Sequence, residues 1–130
     1  MHFNVKNVRQ LDEALPELPI HDSGITSIEN VVGNKELSIH LSNFYENKKI
    51  ELFFCCVDIF KTEISENYDQ GDDVITLYHE RSKEAFKKIV KDNNISYDES
   101  LYFVLQLFSG KEYHIVCKSV DIQVMQLNDI

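Results

Sequence analysis

The sequence predicts a mainly β domain of the α+β class: antiparallel, sandwich-like or a partly open barrel, built from two related hairpins with one or two short helices. Three observations carry that expectation. Leu37, Ile39 and Leu41 alternate with Ser38, His40 and Ser42, the period of a half-buried strand. Leu101 to Phe108 is a nearly unbroken apolar run, the pattern of a strand buried on both faces or central in its sheet. Finally, Val57-Asp58-Ile59 returns as Val120-Asp121-Ile122, each time after a strand of similar pattern.

Taken in order, the chain opens on a short helix, with Val8, Leu11 and Leu15 at helical spacing, Asn7 as its cap and Pro16 as its stop. Pro16 and Pro19 predict an extended linker. From Gly24 the period becomes two, although Ile25 and Ile28 fall on opposite faces, so this strand is imperfect or bent. Gly33-Asn34 signals a turn into the strand around Leu37 to Leu41. A polar loop carrying Phe44 and Tyr45 leads to Ile50, Leu52, Phe54 and Cys56, after which Val57 and Ile59 move the apolar side to odd positions. That change of phase predicts a bulge or a strand that crosses between packing faces.

The chain then leaves the core through Lys61 to Asp73. Val74 to Tyr78 predicts a strand. Ser82 to Asn93 predicts a helix capped by Ser82, with Ala85, Phe86, Ile89 and Val90 as its apolar stripe and Lys87, Lys88 and Lys91 toward its C-terminus. It is expected to cover an edge or an open end of the sheet. Ser109-Gly110-Lys111 turns the last hairpin, and Lys118-Ser119 repeats the change of phase. Residues 1–130 make one domain, with 36–64 and 100–127 as candidate internal duplicates: Leu37, Ile39 and Leu41 fall on Leu101, Phe103 and Leu105, and Ile50 and Leu52 on Tyr113 and Ile115.

Composition narrows the function classes. Eight Phe and six Tyr among 130 residues supply enough apolar area for a core without disulfides or metals. A net charge of −9 is the wrong sign for a nucleic-acid or anionic membrane surface and suits a basic protein partner. Three Cys, at 55, 56 and 117, lie in apolar runs and read as reduced, buried thiols. The N-terminal residues lack the apolar segment of a signal peptide, and no apolar run approaches the roughly 20 residues of a membrane span. A cytoplasmic location is expected.

Two groups of residues are candidates for a site. Glu63, Glu66, Asp69, Asp72 and Asp73 form an acidic stretch without Lys or Arg. Glu66, Asp69, Asp72 and Asp73, with the aromatics Tyr45 and Tyr68, are candidate partner-binding residues: the acids steer and the rings anchor. The stretch lacks the ligand order of a calcium loop. His21, Asp22 and His40 are candidate metal ligands, since a carboxylate beside an imidazole orients it, although Asp22-Ser23-Gly24 is equally what a turn into a strand requires. A site joining His21, His40 and His114 is a further combination. No spacing in the chain matches a zinc motif, a serine-nucleophile elbow, a phosphate loop or a dinucleotide fingerprint, so no cofactor and no catalytic residue is assigned.

The arrangement Leu18-Pro19-Ile20-His21-Asp22, then Leu37-x-Ile39-x-Leu41, then Ile50-x-Leu52-x-Phe54-x-x-Val57, resembles small β-rich proteins of Bacillus and related bacteria. In these a His-Asp element followed by a small residue precedes the first strand. Some acidic single-domain proteins of this type are immunity proteins. The resemblance implies a non-enzymatic protein-binding domain that neutralises a toxin by occluding a basic partner. The alternatives are a small metal-dependent hydrolase centred on His21 and Asp22, and a homo-oligomeric structural module with strand edges paired between copies.

Overall fold

In the computed structural model, which describes residues 1–64 and 73–127, the alternating segments pair into two antiparallel sheets. The first contains β1 (His2–Asn4), β2 (Gly24–Val31), β3 (Glu36–Asn43), β4 (Lys48–Cys55) and β9 (Ser119–Gln126), in the order β1-β9-β4-β3-β2. The second contains β5 (Ile59–Ile64), β6 (Val74–His79), β7 (Leu101–Leu107) and β8 (Lys111–Cys117), in the order β5-β8-β7-β6. They pack face to face as a sandwich, not as a closed barrel.

The alternation explains the core. Leu37, Ile39, Leu41, Ile50, Leu52, Phe54, Val120 and Ile122 of the first sheet meet Leu101, Phe103, Leu105, Ile115 and Cys117 of the second, and none is more than 1% exposed. Phe54 and Phe103 meet edge to face across the layer, with ring centroids 5.4 Å apart. Each large side chain here contributes about 1.5–3 kcal/mol of burial.

Both changes of phase are crossings between sheets. After β4 the chain leaves the first sheet through Cys56, held at φ 56°, and enters the second as β5. After β8 it passes through Lys118 and returns to the first sheet as β9. The two sheets therefore share one plan, β2-β3-β4 closed by β9 and β6-β7-β8 closed by β5. The hairpin registers also coincide: Leu37, Ile39 and Leu41 face Phe54, Leu52 and Ile50, while Leu101, Phe103 and Leu105 face Cys117, Ile115 and Tyr113.

β7 is buried on both faces because α2 (Glu84–Asp92) lies on the outer face of the second sheet. Phe86 and Val90 pack on Tyr102, Val104 and Val116, forming a second apolar layer. The helix thus covers a face, not the expected edge or open end, since Tyr102 and Val104 of β7 and Val116 of β8 are apolar there too. Ser82 does not cap it. Its hydroxyl donates to Glu80 instead, and Ala85 is exposed. At the other end α1 (Val8–Ala14) places Leu11 over the main core, with Phe3, Leu15 and Ile20. The expected extended linker begins as a 3₁₀ turn, Leu15–Glu17, in which Pro16 sits at the start, where a missing N–H costs nothing.

Candidate functional site

The segment Leu18 to Gly24 straps the two sheets together. On one side the Asp22 N–H donates to the Val74 carbonyl and the Val74 N–H to that of Ser23, at 2.9 and 2.8 Å. On the other, Asn43 at the end of β3 donates its amide to the carbonyls of Pro19 and His21, at 3.0 and 3.1 Å. The Asn43 Oδ1 also accepts from the N–H groups of Tyr45 and Glu46, both at 3.0 Å. Asn43 itself is 1% exposed. One buried amide therefore fixes the β3–β4 turn to the strap.

On that fixed turn stand two bare aromatics, Phe44 at 75% and Tyr45 at 86% exposure. Large rings on a preorganised turn lose little conformational freedom on binding, which is what an anchor residue requires. Of the other candidate partner residues, Asp73 is exposed and forms an isolated bridge with Gly24. Glu66, Tyr68, Asp69 and Asp72 lie outside the described residues.

The candidate metal ligands are distributed over two places. His21 Nε2 lies 3.5 Å from Asp22 Oδ2, with both side chains largely exposed, and Asp22 takes φ 66°, a left-handed conformation that Asp tolerates. His40 faces outward from β3, 3.7 Å from Glu51 on β4, which also pairs with Lys49. His114 is on the other sheet.

Two features were not anticipated. The first is a cleft of about 400 Å³ between α1, the strap and β6, lined by Asp12, Leu15, His21, Thr76 and His79 among others. The His79 Nδ1 donates to Asp12 at 3.1 Å, while its buried Nε2 has no hydrogen-bond partner among the described residues. Burial lowers the His79 pKa, because a second N–H would be buried without an acceptor, and the Asp12 bond only partly opposes this. The second feature lies on the outer face of the second sheet, beside α2. There Glu63, Glu112 and His114 bring one ligand atom each within 4.8 Å of one another, the one such grouping of three among the described residues.

Sequence reasoning named Glu63 and His114 in separate contexts and did not single out Glu112, Asp12 or His79. Glu112 and His114, two apart on a strand, necessarily share a face. Nothing in the sequence states that β5 pairs with β8 and so brings Glu63 opposite Glu112. Likewise Asp12 and His79 meet only through packing. Of the thiols expected to be buried, Cys117 is, Cys55 is half-buried, and Cys56 is left exposed by the crossing. Burial pushes the Cys117 thiol up, and raises Cys55 against a hydrogen bond from Ser119.

A comparison with protein families gives no match for this chain, and a comparison with curated proteins gives none either. Among the described residues no helix is long and apolar enough to cross a membrane.

Proposed function

We propose that the protein is a non-enzymatic binding domain that docks another protein through the β3–β4 turn. The observation that carries this is the pairing of exposed Phe44 and Tyr45 with the buried Asn43 that immobilises their turn. Aromatic anchors held in place before binding are the usual centres of interface energy. The net charge of −9 favours a basic partner and adds long-range attraction. Toxin neutralisation by occlusion is the most concrete form of this role: the turn would cover the partner's working surface, and no chemistry is required of the domain.

The test is site-directed cross-linking in the native cell, with a photoreactive phenylalanine at Tyr45 and a control at the exposed Gln123 on β9, opposite Glu51 along the β4 neighbour strand. One basic protein captured at 45 and not at 123 is the expected result. No capture at 45, or equal capture at both positions, would count against the turn as the docking surface.

One observation favours a second reading, a small hydrolase that uses His21. His21 lines the same cleft as the Asp12–His79 pair, so two imidazoles and a carboxylate border one cavity. That reading requires ester or amide turnover by the purified protein that disappears in His21→Ala without a change in melting temperature.

A further inference from the structure

We propose that Glu63, Glu112 and His114 bind a divalent first-row transition-metal ion on the outer face of the second sheet. The backbone assembles the set. Glu112 and His114 alternate along β8, and β5 pairs beside it in a register that places Glu63 opposite Glu112 and Lys61 opposite His114. His114 Nε2 lies 3.2 Å from Glu63 Oε2 and 3.2 Å from Glu112 Oε1. An imidazole nitrogen carries at most one proton, yet two carboxylate oxygens converge on this one. A cation at that point satisfies both oxygens together with the nitrogen lone pair.

Two of the three ligands, His114 and Glu112, are also held from behind, as metal ligands characteristically are. The His114 Nδ1 lies 2.5 Å from the Tyr102 hydroxyl, and the two rings stack with centroids 5.8 Å apart. Tyr102 is clamped in turn between His114 and Phe86 of α2, whose ring it parallels within 6°. With Nδ1–H donating to that hydroxyl, Nε2 is left as a bare ligand atom facing the two carboxylates. Gln106 donates to the other oxygen of Glu112 at 2.6 Å.

The donor set selects the ion. One imidazole nitrogen and two carboxylate oxygens suit zinc, manganese, iron(II) or cobalt, whereas calcium and magnesium prefer all-oxygen shells. His114 is 7% exposed while Glu63 lies open to water. The ion would therefore keep positions toward solvent, as open sites do. Lys61 competes for the same carboxylate: its ammonium sits 3.0 Å from Glu63 Oε1.

That competition gives variants with opposite signs. Titration of the full chain with cobalt(II), followed by its visible bands and by calorimetry, is expected to show one saturable site. Glu63→Gln should weaken it by about tenfold or more. Lys61→Met should strengthen it; both positions are exposed, and unchanged melting curves confirm that both variants fold. No saturable binding up to about 1 mM cobalt, the millimolar edge of specific affinity, would overturn the proposal. So would equal affinity in wild type and Glu63→Gln, or loss of the site in His21→Ala instead.

Discussion

His79 links pH to stability through a single side chain. Its folded-state pKa is depressed by burial and by Arg81, while Asp12 and Glu80 pull the other way without overcoming burial. The unfolded chain therefore takes up this proton at a higher pH than the native state does. The contribution of His79 is complete above its ordinary value, about 6.5, and is lost as pH falls below it. Melting temperature should drop from about pH 7 to pH 5, and the drop should be shallower in His79→Gln; parallel curves for the two proteins would refute this. Cys56 makes a second prediction at this scale. It is exposed and left-handed at φ 56°, a conformation that costs a residue with a Cβ about 1–2 kcal/mol. Allowing for the greater chain entropy of glycine, Cys56→Gly should stabilise by about 0.5 kcal/mol, read from the denaturant midpoint. The sequence showed Cys56 at a change of phase but not its exposure, because a bulge and a crossing leave the same apolar pattern.

The β3–β4 hairpin and α2 are the elements on which the account depends. Asn43 reads in sequence as the first residue of a polar loop, and nothing local marks it as buried. Its importance comes from the strap, which brings the carbonyls of Pro19 and His21 within reach. Asn43→Ala strands two carbonyls and two turn N–H groups, so a loss of about 2 kcal/mol or more is expected in chemical denaturation. A loss below about 0.5 kcal/mol would mean that the turn is not held as described. For α2, Phe86→Ala removes a fully buried ring stacked on Tyr102, and should cost about 3–5 kcal/mol. The helix was legible from Phe86, Ile89 and Val90. Its placement on a face was not, because the apolar outer residues Tyr102, Val104 and Val116 are indistinguishable from core residues within a continuous apolar run.

Across the whole molecule, each sheet is completed by a strand from the other half of the chain. β5 leaves the first half to pair with β8, and β9 leaves the second half to pair with β4. Neither half then has a complete sheet alone, so fragments 1–64 and 73–127 should each remain unfolded, and the intact chain should unfold in one transition when followed in both sheets. Circular dichroism of either fragment showing a cooperative melt would contradict this. Period-two alternation carried the sandwich, the hairpins and the inward faces, because burial on one face of a strand is written directly into the order of residues. The pairing of strands distant in sequence is not written there. Hence Tyr45 could be chosen from its loop, whereas Glu63 with His114 and Asp12 with His79 could not.

The most direct test of the central claim is the affinity of the protein cross-linked at Tyr45 for wild type and for a Phe44→Ser, Tyr45→Ser double variant, measured by calorimetry at two salt concentrations. The account predicts that the variant, still folded, binds more weakly by about 2 kcal/mol or more, roughly 30-fold. It also predicts that wild-type affinity falls as salt rises. Unchanged affinity in the folded double variant would show that the turn is not the docking surface.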